Sequence, residues 1–563
     1  MIILNTYKRL GAGLAITALS TLLQACSSGG GSDKSFGGDI TSPGGGATNP
    51  STPTPQNPSG SGSTGSSSSD SAWSKGVYQP QAYYANLCQN PRTGTNPITQ
   101  EKYPDKQGSI ALENHFLRSW SHQNYFWYEE LPDLDPNDYT ETSAYFKLLK
   151  TNEKTPGNRP KDRFHFAQDE LVGDKLSETG QRGSHGINWK IDANEELKRN
   201  YIYVTYIEPN SPAVAAGVTR GMELTHINTI KVENITEAQT SEVNEALFSP
   251  VLGKTYTFTL KDLNGVTTNK QIKPEDIDIS AVYNRSVIET SSGKVGYLSF
   301  HTFNIFSAED QLKEAFDFLN AQNVDDLVVD LRYNGGGYLF ISSQLAYLVA
   351  GDSQTKNEEF GRLQYNDKRD DETKSYDFTS VTLTDTNNIR PLNALNLNRV
   401  YVLTTKDTCS ASESFMNGLR GIGVEVIQIG TTTCGKPHGF QGQANCGTRY
   451  FSIDFEIVNG QGFGGYEDGF TPVTSNGDPL SNRINGCTVE DDLTLALGDK
   501  NEGMLKTALY LRENGSCPRQ GSNLNNAAQP YKLSSPASTP AGGALLSQPP
   551  SHSIQRLAPW ETR

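Results

Sequence analysis

The sequence lacks any block of basic residues. Its 48 lysines and arginines are outnumbered by 63 aspartates and glutamates, which gives 563 residues a formal net charge of −15. Without a positive patch to neutralise phosphates, nucleic acid is a poor partner. An acidic balance of this size keeps a protein soluble and says little else about its function.

The cysteines include no pair with the CxxC spacing of a structural zinc site, so a metal centre of that kind is not expected. Apart from Cys26 there are six of them, an even number that predicts disulfides in an exported chain. Their spacing cannot choose among the possible connectivities. Nearness in sequence favours Cys434 with Cys446, and Cys88 with Cys517 would tie together the ends of the folded region.

Two stretches have almost nothing apolar to bury. Residues 27–71 are nearly all Ser, Gly, Thr, Pro and Asn, and residues 519–563 are rich in Ser, Pro, Ala and Gln. Such segments cannot offset their ordering entropy, so we expect a flexible linker and a disordered tail. The remaining residues, 72–518, suffice for two or three folded domains.

No apolar run is long enough for a comfortable membrane span. Lys8 and Arg9 precede a short apolar run that ends Leu23-Gln24-Ala25-Cys26, which is typical of a secretory signal and resembles the lipobox of bacterial lipoproteins. The resemblance implies lipidation of Cys26, with residues 1–26 as the signal peptide. Ser27 favours the outer membrane, facing the periplasm. An ordinary cleaved signal with an incidental Cys26 is the alternative.

Residues 72–172 contain one strong helical pattern, ALENHFLRSWSHQNYFWYEEL, with an apolar and aromatic stripe that includes Leu112, Phe116 and Trp120. The pattern predicts a small helical N-terminal domain that packs on its neighbour. A cap that contacts substrate is the alternative.

Residues 173–277 resemble a PDZ domain. The stretch VTYIEPNSPAVAAGVTRGMELTHIN, residues 204–228, carries the resemblance. Pro212 suits the first turn of a short helix, and Gly217 suits the end of that helix. Gly221 suits the chain turn that leads into the next strand. The resemblance implies capture of an extended peptide and its C-terminal carboxylate, on a loop that we place at Gly186, Ile187 and Asn188. A PDZ fold that only packs against the rest is the alternative.

Residues 278–518 alternate between strand and helix patterns, which predicts an α/β layer fold. DLVVDL is a buried strand that ends at a triple glycine, residues 335–337. RVYVLT is another, which leads to Ser-Ala-Ser-Glu at Ser410 and a helix through about Leu419. Ligand sites in such folds lie at the loops that connect the end of a strand to the following helix.

Ser410 falls at the start of that helix, where backbone N–H groups have no partner within the helix. A nucleophile there could use the Ala411 N–H, with Gly335 or Gly336, to hold an oxyanion. A plain helix cap is the commoner role of such a serine. The base could be Lys436, if burial lowers its pKa, or His438, or the more distant His301.

Four motifs in order, the PDZ-like stretch, DLRYNGGG, SASE and GK, resemble the S41 family of serine proteases, the family of the C-terminal processing peptidases. The resemblance implies an α/β, ClpP/crotonase-like protease domain and a Ser–Lys dyad of Ser410 and Lys436, without metal or cofactor. A supporting glutamine is usual in the family. Its spacing reaches Phe440 here, so Gln441, one residue late, is the candidate. A tricorn-like branch uses a histidine base, and His301 could fill that role.

The sequence thus predicts a lipid-anchored serine endopeptidase of the cell envelope that cleaves protein or peptide substrates at a Ser410–Lys436 dyad. Gly336 and Ala411 would form the oxyanion hole, while Ser412 and Glu413 shape the turn. Two alternatives stay open. One is a scaffold of the same fold that has lost catalysis. The other is a cysteine-based or redox enzyme at Cys409 or Cys434, although a disulfide is favoured for both cysteines.

Overall fold

The computed structural model describes residues 72–194, 196–474 and 480–519, and the backbone of 554–556. All of them belong to one compact unit that spans Asp70 to Ala558. The predicted signal peptide, Cys26 and the linker lie outside the described residues. Within the described part, no helix is both long and apolar enough to cross a membrane.

The N-terminal region centres on helix α1, Ile110–Asn124, whose cap Ser109 accepts a hydrogen bond from the Leu112 N–H at 3.3 Å. The helix ends before the predicted aromatic pattern does, because the Phe126 N–H donates to the Ile453 carbonyl at 2.7 Å and draws the chain onto the α/β domain. The other elements are β1 (Leu87–Cys88), β2 (Lys106–Gln107), α2 (Thr142–Phe146), β3 (Phe166–Asp169) and α3 (Glu170–Thr179).

The next region is mostly β-structure. Strands β5 to β10 form a six-stranded sheet in the order β10-β9-β7-β6-β5, with β8 beside β7, and β4 pairs with β11. The elements are β4 (Gln181–Ser184), β5 (Ile187–Asn194), β6 (Arg199–Ile207), α4 (Pro212–Ala215), β7 (Glu223–Ile227), β8 (Ile230–Lys231), α5 (Glu237–Phe248), β9 (Tyr256–Lys261), β10 (Thr267–Ile272) and β11 (Glu275–Asp278).

The turn chemistry predicted for this region is present. Ser211 caps α4, and Gly217 and Gly221 have φ of +69° and +84°. The predicted loop at Gly186, Ile187 and Asn188 needs correction. Gly186 turns with φ +84°, but Ile187 and Asn188 already belong to β5, where they pair with Ile207 and Tyr206 of β6.

The α/β domain carries a seven-stranded sheet in the order β12-β13-β14-β18-β19-β25-β24, parallel except for β12. Its elements are β12 (Val282–Thr290), β13 (Gly293–Phe300), α6 (Ala308–Ala321), β14 (Asp326–Asp330), β15 (Gly336–Tyr338), α7 (Leu339–Ala350), α8 (Asp352–Thr355), β16 (Glu359–Tyr365), β17 (Lys374–Asp377), β18 (Arg399–Thr404), α9 (Ala411–Gly421), β19 (Glu425–Gly430), β20 (His438–Gly439), β21 (Gln443–Asn445), β22 (Thr448–Phe451), β23 (Phe455–Val458), β24 (Thr471–Val473), β25 (Arg483–Thr488) and α10 (Gly503–Asn514).

This topology gathers the predicted motifs. Strands β14, β18 and β19 are parallel neighbours, so their carboxyl ends meet at one edge of the sheet. The triple glycine follows β14, Ser410 follows β18, and Lys436 follows β19. The predicted order of strand and helix therefore brings all three to one place.

The tail is not entirely as predicted. Residues 554–556, expected to be disordered, form strand β26, which pairs in parallel with β15. A short strand needs only backbone partners, which composition does not reveal.

The three disulfides join Cys88 to Cys446, Cys409 to Cys434, and Cys487 to Cys517. The predicted Cys434–Cys446 and Cys88–Cys517 pairs are therefore wrong. Cys446 lies in the two-residue turn between β21 and β22. That hairpin pairs with β3 of the N-terminal region, which carries Cys446 to Cys88 and away from its nearer neighbour in sequence.

Arg332, of the DLRYNGGG motif, is a structural residue. Its guanidinium is fully buried and donates to Asp330, Asp491 and Glu502 at 2.8–3.0 Å. Removing it would leave buried carboxylates without their partner. We expect Arg332→Met to lower the free energy of unfolding by about 3–5 kcal/mol in urea titrations. The half-exposed Arg362, paired with Glu359, is the control, and Arg362→Met should cost no more than about 1 kcal/mol. Equal losses would contradict this role.

Candidate active site

Ser410 occupies a strained turn at the start of α9. It is fully buried, and its φ of +62° with ψ of −115° is a conformation that side-chain-bearing residues rarely adopt. Strain of this kind persists only where the surroundings hold it, and it concentrates at functional sites. The turn places Ser410 directly before the N-terminus of a helix, whose first N–H groups face it.

Glu413 joins the Ser410 turn to the loop that carries Lys436. Its carboxylate accepts backbone N–H groups from Ser410 at 2.9 Å, from Gly435 at 2.8 Å and from Lys436 at 2.8 Å, and the Thr433 hydroxyl at 2.5 Å. The prediction that Glu413 shapes the turn is confirmed. Its reach to the lysine loop was not predicted, since sequence shows only its local spacing from Ser410.

Lys436 is fully buried in an aromatic setting. Its Nζ lies 3.5 Å from the ring centre of Phe440 and 4.8 Å from that of Phe164. Burial lowers the pKa of Lys436 well below its usual value, because it disfavours the charged ammonium, and the nearby Asp162 and Glu413 oppose this only in part. The lysine therefore has the lowered pKa that a neutral general base requires.

The N-terminal region completes the lysine site. Besides Phe164, it supplies Arg163, whose guanidinium donates to the Cys434 carbonyl at 2.6 Å and the Gly435 carbonyl at 3.0 Å. The predicted packing of this region on its neighbour is thus present, and it reaches the chemistry as well. Sequence reasoning missed both residues, because the motif DRFHF lies far from GK along the chain and shows no pattern of its own.

Asn334 connects the triple glycine to the Ser410 turn. Its carbonyl accepts the Cys409 N–H at 3.0 Å and the Ser412 hydroxyl at 2.9 Å. Its side-chain Oδ1 accepts the Gly336 N–H at 2.9 Å. DLRYNGGG therefore lies beside Ser410 as predicted. The Gly336 N–H, however, is already bound, and it could serve an oxyanion only after leaving Asn334.

Gln441 and His438 are the other two candidate residues that follow Lys436 in the sequence. The Gln441 amide donates to the Tyr365 hydroxyl at 3.2 Å, whereas Phe440 faces Lys436, because successive side chains of extended chain point to opposite sides. His438 lies on strand β20, and it packs on Trp127 with 4.7 Å between ring centres. Burial lowers its pKa to about 3.

His301, the alternative base, belongs to a different cluster. Its Nε2 lies 2.8 Å from the Ser299 Oγ, and its ring packs on Tyr206 and Tyr283. Burial lowers its pKa to about 3. These contacts give His301 a structural role, as a buried ring packed among aromatic side chains, which we call the aromatic wall.

A cavity of about 870 Å³ lies among the N-terminal region, the β-rich region and the α/β domain. Gly186, Ile187 and Asn188 line it on one side, and His301, Gly335 and Gly336 on the other. Ser410 and Lys436 are not among its lining residues. The cavity therefore joins the predicted peptide-binding segment to the triple glycine but stops short of the buried serine.

Cys409 and Cys434 are joined, so a free thiol at either position is contradicted. Their bond ties the residue before Ser410 to the residue two before Lys436. We expect the Cys409→Ser/Cys434→Ser variant to lose about tenfold in kcat on a peptide substrate. Without the bond, Ser410 and Lys436 would be held less well in place, and a rise of about 1.4 kcal/mol in the activation free energy lowers kcat tenfold. The Cys487→Ser/Cys517→Ser variant is the control, because its sequence separation, 30 against 25, is similar. It should lose comparable thermal stability without loss of kcat. Equal kcat losses would contradict the prediction.

Comparison with known proteins finds matches to one protease family. Residues 294–446 match the model of peptidase family S41, and residues 113–166 match the peptidase S41 N-terminal domain. A carboxyl-terminal-processing protease of Picosynechococcus sp. is 27% identical over 263 residues, which cover 46% of this chain and 56% of that protein. The carboxy-terminal processing protease CtpB of Bacillus subtilis is 25% identical over 313 residues, or 55% of this chain and 58% of the relative.

The fold is also found among solved structures. A crystal structure from Bacteroides fragilis NCTC 9343, assigned to the S41 proteases, aligns with a TM-score of 0.54 at 22% identity and covers 74% of this chain and 100% of its own. The mixed α/β architecture described above is therefore an S41 protease fold. This chain spans about half the length of the curated relatives that it matches.

Proposed function

Because this chain carries a peptidase family S41 domain behind the N-terminal domain of that family, we propose that it is a serine endopeptidase that acts through a Ser410–Lys436 dyad. The Glu413 carboxylate carries this proposal, since it fixes the backbone of the strained serine and that of the buried lysine to one group. A structural cap would need only the first of these bonds.

The chemistry follows from these surroundings. The neutral Lys436 amine takes the Ser410 hydroxyl proton as the oxygen attacks a peptide carbonyl. The Ala411 N–H and an N–H of the glycine loop hold the oxyanion. Lys436 then gives its proton to the leaving amine, and the resulting acyl-enzyme is hydrolysed by water with Lys436 again as the base. No step needs a metal or an organic cofactor.

A serine-directed fluorophosphonate probe tests the nucleophile directly. We expect the full chain to be labelled at Ser410 and the Ser410→Ala variant not to be. Labelling of neither protein, together with no cleavage of an unstructured peptide, would favour a catalytically inactive scaffold.

We further propose that residues 173–277 are a PDZ domain which binds the C-terminal end of a substrate, and that residues 278–518 have the ClpP/crotonase-like form. The Ser211-capped helix and the Gly186 turn support the first assignment, as does the cavity that runs from Gly186 to the triple glycine.

Capture of a C-terminal carboxylate predicts a preference among substrates. We expect a peptide with a free C-terminus to show a KM about tenfold lower than the same peptide amidated, because a charge-assisted hydrogen bond contributes about 1.5–3 kcal/mol. Steady-state kinetics on the two peptides measure this difference. Equal KM values would contradict recognition of the carboxylate.

The location is proposed from the sequence. We propose that lipid on Cys26 anchors the protein in the bacterial envelope, at the outer membrane on its periplasmic side. Cys26→Ala should move it from the membrane fraction to the soluble fraction, and unchanged fractionation would contradict this.

A further inference from the structure

A segment near the C-terminus pairs with the triple-glycine strand. Ile554, Gln555 and Arg556 of β26 lie in parallel register with Gly336, Gly337 and Tyr338 of β15. The opposite edge of β15 is taken by Phe303, whose N–H donates to the Gly336 carbonyl and whose carbonyl accepts the Tyr338 N–H. The Gly337 N–H points to the other edge, because N–H groups alternate along a strand. It therefore faces β26.

Strand β26 also lies close to the other elements of the site. Cα distances within 8 Å connect it to β20, just after Lys436, and to α9, just after Ser410, as well as to β15. All three elements that bear the proposed chemistry thus border one three-residue stretch of the tail.

The β15 edge is suited to extended backbone. Gly336 and Gly337 have φ of +102° and +144°, and they present no side chain to an approaching chain. The glycine strand lies beside Ser410, because the Asn334 carbonyl accepts the Cys409 N–H and the Ser412 hydroxyl. Adding a strand to a free sheet edge is a common way to bind extended peptides.

We propose that the Ile554–Arg556 segment occupies the binding site of the substrate's main chain, so that the tail is an intramolecular competitor of extended peptide substrates. This inference rests on the proposed peptidase function. Ser410 and Lys436 are fully buried, so part of the chain has to move before a substrate reaches them. The tail strand that pairs with β15 is the segment that we propose to move.

Proline substitution in the full chain tests the pairing. Proline has no backbone N–H and cannot donate to a β-ladder. The N–H groups of successive strand residues point to opposite edges, so one of Ile554 and Gln555 directs its N–H toward β15. The double variant Ile554→Pro/Gln555→Pro removes that N–H whichever residue carries it. We expect kcat/KM for an unstructured peptide to rise roughly tenfold, mainly through a lower KM. A tenfold change corresponds to the net contribution of one or two backbone hydrogen bonds. Ala544→Pro, in the same tail, is the control and should behave as wild type.

Amide exchange gives a second readout that needs no activity. In a Ser410→Ala background, the Gly337 amide should exchange at least about tenfold faster in the proline variant than in its parent. Unchanged exchange together with unchanged KM would overturn the inference while leaving the peptidase intact. If no variant cleaves peptide and none is labelled by the serine probe, the proposed function fails, and exchange at Gly337 still decides whether the tail pairs.

Discussion

Ser410→Ala is expected to lower kcat on an unstructured peptide by about 10⁴-fold or more, because removing a nucleophile abolishes the covalent route and leaves only binding and oxyanion stabilisation. KM should change little, since the hydroxyl is a small part of any substrate contact. The fold should survive, because the alanine keeps the Ser410 N–H that donates to Glu413 at 2.9 Å. Single-turnover and steady-state kinetics on one peptide measure the loss.

Ser414→Ala is the matched control for that variant. Ser414 is a buried serine of the same helix, one turn after Ser410. Its substitution tests whether the loss of any buried serine hydroxyl from α9 lowers the activity. We expect its kcat to stay within a few-fold of wild type. If Ser410→Ala retained more than a few per cent of the activity, or if both variants lost it alike, Ser410 would not be the nucleophile.

The neighbourhood of Ser410 and Lys436 could be predicted from the sequence, because each follows a strand and parallel neighbouring strands end at one edge. Buried strands such as DLVVDL and RVYVLT have strong apolar patterns, and the strands Asp326–Asp330 and Arg399–Thr404 match them. The turn residues of the β-rich region could be predicted as well, since glycine at a positive φ has a local cause.

What could not be predicted depends on contacts between distant segments. The N-terminal residues Arg163 and Phe164 reach the lysine loop only because β3 pairs with β22 and Phe126 binds Ile453. The same packing brings Cys88 to Cys446. The hydrogen bond from the Gly336 N–H to Asn334 could not be predicted from the sequence either. A glycine-rich sequence indicates backbone freedom, but it does not indicate which acceptor an N–H group binds.

Lys436→Arg should lower kcat about a thousandfold, the scale of a lost general base, and should also remove the pH dependence that Lys436 confers. Burial lowers the pKa of Lys436, so its neutral fraction, and with it kcat/KM, rises as pH rises through that lowered pKa and then reaches a plateau. An arginine stays charged over the whole range, so the variant should show low activity without this rise. Kinetics from pH 5 to pH 10 measure both effects.

Lys406→Arg is the control that separates lost basicity from the change of side chain. Lys406 is a partly exposed lysine that donates to the Ile191 carbonyl at 2.9 Å, and arginine can keep such a bond. Its pH profile should match that of wild type. An unchanged profile for Lys436→Arg would instead place the base elsewhere. His301→Gln would then be the next variant, because His301 is the alternative base and borders the same cavity as the triple glycine.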